Sequence, residues 1–167
     1  MFKSCFLIIL ALFISGCASA GSTLGRGVDS IGQPVCLTDC KQIPSQIEKY
    51  MKTHDLITEE DEIDYLMYRI RSSNDKFVRN GFEADSVSAV DFLRWKIRWY
   101  ESHYSDKIDD DEELVTKVMK GSEKTGKPYT IILQDGSKHN LQFVMQNEIN
   151  NLEAFQGETP EFSIPNV

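Results

Sequence analysis

DSVSAVDFLRWKIRWYESHY, Asp85 to Tyr104, carries the longest helical periodicity in the chain and both of its tryptophans. Val90, Leu93, Ile97, Tyr100 and Tyr104 recur at spacings of three and four, which places them on one face of an α-helix and marks that face as core. Phe92, Trp95 and Trp99 repeat the spacing on the opposite side, while Asp91, Arg94, Arg98 and Glu101 fill a flank between the two stripes. A helix apolar on two sides needs two partners. The expected arrangement is a helix sandwiched between others, with the Phe92, Trp95 and Trp99 stripe in the core. The competing arrangement leaves those rings exposed as a protein-binding patch rimmed by Arg94 and Arg98.

The neighbouring segments supply the sandwich. Thr58 to Arg71 opens with a Thr58/Asp61 capping-box pattern, gathers Glu59, Glu60 and Glu62 where a helix dipole is positive, and offers Ile63, Leu66, Met67 and Ile70 as a buried stripe. Pro44 to Lys52 reads as a shorter helix with proline in its first turn. Asn80-Gly81 follows Lys76-Phe77-Val78-Arg79 as a turn that readily takes positive φ. Downstream, one of Asp109, Asp110 and Asp111 caps a helix bearing Leu114, Val115, Val118 and Met119, which Gly121 ends in the left-handed conformation. Tyr129 to Leu133 is a β-prone run, expected to pair with Phe77 and Val78 or with a return strand after Gly136. Asn140 caps a last helix with Leu141, Val144, Met145, Ile149, Leu152 and Phe155 on one face. The fold class is therefore mainly α (α+β), a small domain of four to five helices with a minor β-strand or hairpin.

The first 16 residues stand apart from this domain. Lys3 gives a cationic start, and Phe6 to Ile14 is an unbroken apolar run far short of the roughly 20 residues that span a bilayer, which identifies a signal peptide. Ile14-Ser15-Gly16-Cys17 directly after it resembles the lipobox of bacterial lipoproteins, and that resemblance implies cleavage before Cys17 and acylation of its thiol and amine. Each buried CH₂ contributes about 0.8 kcal/mol, so two or three acyl chains make a lasting membrane anchor. The residue after the cysteine is Ala18 rather than aspartate, which by resemblance to lipoprotein sorting favours the outer membrane, facing the periplasm. The expected organisation is signal peptide 1–16, lipidated cysteine and flexible tether 17–32, globular domain 33–156 and loose tail 157–167.

Removing the signal peptide loses Lys3 and no acid, which moves the net charge from −8 to −9. Nucleic acid is excluded as a partner, because affinity there depends on neutralising phosphates with Lys and Arg. Cys36 and Cys40 remain beside Cys17 in an oxidising compartment, and their spacing suits a local disulfide rather than a two-residue redox motif. His54, His103 and His139 have no metal-like spacing to them, and no cofactor or metal is expected. Asp109 to Glu113 lacks the spaced ligands of a calcium loop and reads as capping and linker.

Two segments carry a family resemblance. Ser72 to Lys96 contains S-x-x-x-x-F-V-R-N-G followed by a helix with Ala89, Leu93 and Lys96, and Ser122 to Tyr129 reads S-x-x-T-G-x-P-Y. Together they resemble a family of small exported bacterial proteins classed as a domain of unknown function, over roughly Glu59 to Leu152. This chain departs from that pattern at Phe92, where histidine is frequent, and near Asn74, where cysteine is frequent. The resemblance implies no activity.

Arg79, Asn80, Thr125, Gly126 and Tyr129 belong to these two motifs and are candidates for one small ligand or peptide pocket, with Arg79 and backbone N–H groups able to hold a carboxylate or other anion. The competing reading makes Asn80-Gly81 and Thr125-Gly126 plain turns and Arg79 a structural ion-pair partner. Trp95 and Trp99 are candidate partner contacts. There is no G-x-S-x-G, H-E-x-x-H or phosphate-binding glycine loop, so the expectation is not an enzyme. The leading functional expectation is a lipid-anchored, non-catalytic binding or structural module at the membrane surface, with an envelope protein as partner. The alternatives are a periplasmic small-ligand-binding or weakly hydrolytic domain using the Arg79 and Thr125 loops, and an acidic inhibitor of a basic envelope hydrolase.

Overall fold

The structure, a computed structural model, describes residues 25–157. The lipobox with Cys17 and the tail beyond Gly157 lie outside the described residues. A 3₁₀ turn, Cys40–Gln42, leads into α1 (Ile43–Met51) and α2 (Glu59–Ser72). A hairpin of β1 (Lys76–Arg79) and β2 (Phe82–Ala84) precedes α3 (Ser86–Tyr104). The short α4 (Asp111–Glu113) continues as a π-helical segment, Leu114–Met119, and β3 (Thr130–Ile132), β4 (Lys138–Asn140) and α5 (Leu141–Gln156) close the domain. Among the described residues, five helices with a small antiparallel sheet of order β2-β1-β3-β4 make an α+β domain, as the patterning implies. Among the described residues no helix is long and apolar enough to cross a membrane.

Local chemistry sets the helix starts. Asp61 N–H donates to Thr58 Oγ1 at 3.3 Å while Asp61 Oδ2 accepts from Thr58 N–H at 2.9 Å, which is the reciprocal capping box. Asp85 caps α3 by accepting from Ser88 N–H at 2.7 Å, and Asn140 caps α5 by accepting from Gln142 N–H at 3.0 Å. Asn80 and Gly81 take φ of 52° and 87°, the two left-handed residues that a two-residue hairpin turn requires. Tyr129 to Leu133 pairs on both sides: β3 lies between β1 and β4, so each of the two expected pairings forms.

Several expectations need correction. Gly121 does not end its helix in the left-handed region; a Cβ there would stand 2.5 Å from Lys127 O, so glycine is required by close backbone approach instead. The expected tether to Gly32 is docked from Gly25 onward: Gly25 N–H donates to Lys138 O, Asn140 N–H donates to Gly25 O, and Val35 N–H donates to Gly27 O. Glycine permits this because a Cβ at Gly25 would lie 2.3 Å from the His139 ring, and one at Gly27 would lie 2.8 Å from Phe143 Cβ.

The helix at the centre of the domain is α5 rather than α3. Leu141, Val144, Met145, Ile149 and Leu152 are buried as expected, but so are Gln146, Asn147 and Glu148, while Phe155 is exposed. α3 buries Val90 and Leu93 and then runs out past the body, with Ile97 and Tyr100 half-buried and Tyr104 exposed. Its second stripe is not core. Trp95 is 50% exposed, and Phe92 and Trp99 are half-buried, because the hairpin covers only the first half of the helix. Replacement of Leu93 by Ala is expected to cost roughly 2–5 kcal/mol in urea unfolding, and Trp95→Ala less than about 1 kcal/mol.

Candidate functional site

The concave feature that the fold builds around the motif residues is a cavity of about 250 Å³ between the hairpin and the first half of α3. Pairing places Phe77 opposite Ala84 and Arg79 opposite Phe82, so these four share the sheet face turned to α3. α3 contributes Ser88, Ala89, Phe92 and Leu93, and Tyr129 and Leu141 complete the lining. Phe77, Leu93 and Leu141 form an apolar floor and are themselves buried.

Arg79 stands at the mouth. Its guanidinium lies 4.1 Å from the centre of the Phe92 ring, a cation–π contact, and it makes no ion pair or side-chain hydrogen bond among the described residues. Phe92 in turn meets Tyr129 edge-on at 5.6 Å and Trp95 at 5.7 Å between ring centres. Burial pushes the Tyr129 hydroxyl above its ordinary range, with nearby Arg79 pulling the other way. The site therefore has an apolar interior, an aromatic wall and one uncommitted cation at its rim.

The two motifs do meet, and they divide the work. Thr125 Oγ1 donates to Asn80 Oδ1 at 2.7 Å, and Asn80 Nδ2 donates to Ser122 Oγ at 3.5 Å. Gly126 takes φ of 65°, and its N–H donates to Ser122 O. Asn80, Thr125 and Gly126 thus tie the hairpin tip to the 122–129 loop, while Arg79 and Tyr129 face the cavity. Trp95 flanks the mouth; Trp99 lies a turn further on and stacks on His103 at 4.9 Å, away from it. Sequence reasoning missed Phe82, Glu83, Ala84 and Ala89 as lining residues. The sequence trace of β2 is the position of Phe82 three residues after Arg79, across the Asn80-Gly81 turn.

Lys96 is a further residue missed as chemistry. It is buried beneath the 122–129 loop, donating to Val118 O at 2.7 Å and to Gly121 O at 2.6 Å, with its ammonium 4.8 Å from the Tyr129 ring centre. Burial pushes its pKa down to about 8; Lys120 adds to this and Glu123 opposes it.

Two acidic groups lie away from the cavity. Ligand oxygens of Glu59, Glu62 and Asp111 fall within 4.8 Å of one another, as do those of Asp109, Asp110 and Glu113. Burial, followed by Glu62, Glu59 and Glu153, raises Asp111 to about 7. The folded chain then holds a proton that the unfolded chain, with the ordinary value of 3.8, has already lost, so stability falls as pH rises from about 4 to about 7. Asp111→Asn removes that slope and is expected to stabilise by about 2 kcal/mol at pH 7.5, or roughly 6–8 °C in Tm. Asp75, raised to about 6 by burial, keeps a smaller slope of the same sign between pH 4 and 6 in the variant. Thermal melts of both proteins from pH 4.5 to 8 check this.

Fold and site together define a small α+β domain with an apolar, cation-rimmed cavity. The chain belongs to the Family of unknown function (DUF5329), whose model matches residues 57–153, from the turn before α2 into the last turn of α5. No curated protein and no solved structure matches it.

Proposed function

We propose that this chain is a non-catalytic binding module of the bacterial envelope, acylated at Cys17, held at the periplasmic face of the outer membrane and binding its partner through the cavity beside Arg79. The observation that supports the reading best is the pairing of an apolar cavity with a cation that forms no ion pair among the described residues. Pockets of this kind bind by burying an apolar group and orienting it with a few polar contacts. The anchor rests on the position of Ile14-Ser15-Gly16-Cys17 directly after a nine-residue apolar run.

The test is made in cells. A photo-activatable residue in place of Trp95 should give discrete adducts that vanish when Ala84→Leu narrows the cavity, and Cys17→Ser should move the protein from the membrane to the soluble fraction. Adducts indifferent to Ala84→Leu would overturn the cavity as the binding site. An unchanged membrane fraction for Cys17→Ser would overturn the anchor.

A further inference from the structure

β2 is an edge strand, and all three of its residues line the cavity. The hairpin register decides which backbone groups are free there. Arg79 and Phe82 flank a two-residue turn and exchange both of their hydrogen bonds, as do Phe77 and Ala84 two residues on. The intervening residue of β2, Glu83, therefore turns its N–H and C=O away from β1 toward the open edge, and no group among the described residues meets them. Such an unpaired edge is a template for an added strand.

Three features then meet at this strand. The Glu83 edge offers backbone pairing, the 250 Å³ cavity takes an apolar side chain, and Arg79 waits at the hairpin-tip end with its donors uncommitted. A cavity of about 150 Å³ holds a benzene ring, so this one accepts a single Leu- or Phe-sized group and no more. Arg recognises a carboxylate through two parallel N–H donations. Resting on the cavity reading above, we infer that the occupant is the C-terminus of an extended peptide. It pairs with the Glu83 edge of β2, seats its last apolar side chain between β2 and α3, and gives its α-carboxylate to Arg79. Because β2 runs away from the hairpin tip and the carboxylate sits at the tip, the bound peptide is antiparallel to β2. Phe82, 79% exposed on this edge, and Trp95 flank the seat and become covered.

The probe is a synthetic N-acetylated hexapeptide ending in phenylalanine, titrated into the full chain with Trp95 emission and hydrogen exchange of the Glu83 amide as readouts. The free acid should bind at least about tenfold more tightly than the C-terminal amide, since a charge-assisted hydrogen bond contributes about that much. Arg79→Met, which breaks no ion pair, should erase that preference, so that acid and amide bind alike. The Glu83 amide should gain protection, and N-methylation of the paired peptide residue should remove it. Equal affinity of acid and amide, blocked in both cases by Ala84→Leu, would overturn the carboxylate inference and leave the cavity reading standing. Binding of decanoate without the peptide would assign the cavity to an acyl chain and also overturn it. Failure of peptide and decanoate alike to perturb Trp95 would overturn the inference and the cavity reading together.

Discussion

Glu148→Ala is expected to destabilise the domain by roughly 3–5 kcal/mol, the cost of stranding a buried charge. Arg69 and Glu148 are 2% and 0% exposed, and the pair is bidentate, with Arg69 Nε donating to Oε2 at 2.9 Å and Nη2 donating to Oε1 at 3.2 Å. Burial works against the Arg69 charge and Glu148 more than offsets it, so the guanidinium is held above its ordinary range. The same two side chains hold the Cys36–Cys40 disulfide loop, since Leu37 N–H donates to Glu148 Oε1 at 2.8 Å and Arg69 Nη2 donates to Thr38 Oγ1 at 3.0 Å. Loss of Glu148 therefore leaves both Arg69 and the Leu37 amide without their acceptor. Urea unfolding gives the energy, and hydrogen exchange should show the Leu37 amide losing protection even in folded molecules. Changing both partners to Met should recover the part of the loss that comes from the stranded Arg69 charge, because well-packed apolar pairs replace buried ion pairs at little cost, while the Leu37 amide stays without its acceptor. A loss below about 1 kcal/mol in Glu148→Ala would mean that the pair is not closed in solution.

The buried ion pair also marks the limit of what periodicity conveys. Thr58, Asn140 and the Asp109 to Asp111 run were legible as caps because capping is local: the acceptor and the N–H it serves are two or three residues apart. Asn147 and Glu148 fall outside the apolar stripe of α5, and nothing near them in sequence marks them as buried, because their partners lie 79 to 120 residues away. Asn147 Nδ2 donates to both Gly27 O and Val35 O, and so binds the two arms of the N-terminal segment that composition alone makes a tether. A Gly- and Ser-containing stretch offers little apolar surface, and here it is held by backbone hydrogen bonds and close approach instead.

The site was half legible for a related reason. Arg79 and Tyr129 stood out through their flanking turn residues, and the Val78–Thr130 pairing of β1 and β3 brings them side by side. β2 and β4 are three residues each, too short for an alternating pattern to register, so the edge that bounds the cavity could not be seen in the sequence. The aromatic stripe misled because spacing specifies a face of a helix but not what covers it. α3 outruns the elements packed against it, and Trp95 is left at the cavity mouth. That placement joins two features that sequence reading kept apart, the aromatic patch and the anion-binding loops.

Lys96→Met should cost about 2 kcal/mol at pH 7 and should also abolish the rise of stability with pH above pH 8. The ammonium satisfies two buried carbonyls, Val118 O at the end of the π-helical segment and Gly121 O at the start of the 122–129 loop. Met fills much of the volume but donates nothing, and each stranded acceptor costs about 1–3 kcal/mol. Against this stands the burial of the charge: a pKa lowered from 10.5 to about 8 represents roughly 3 kcal/mol of penalty that the variant no longer bears. The two terms nearly oppose, and the lost hydrogen bonds prevail by a modest margin. In the wild type, the unfolded chain holds the Lys96 proton between pH 8 and 10.5 while the folded chain has released it, so stability rises with pH across that window. Lys96→Met lacks that rise. Above pH 10 the buried Tyr65, whose hydroxyl burial pushes well above the ordinary range, and the raised Tyr50 and Tyr129 turn stability downward in both proteins. Chemical denaturation from pH 7 to 10 therefore separates the two terms: the offset between the proteins at pH 7 reports their net, the difference in slope above pH 8 reports the charge, and the sum of the two gives the carbonyls. Parallel curves would mean that Lys96 reaches water, and the loop it supports, including Tyr129 at the cavity wall, would then be free to open.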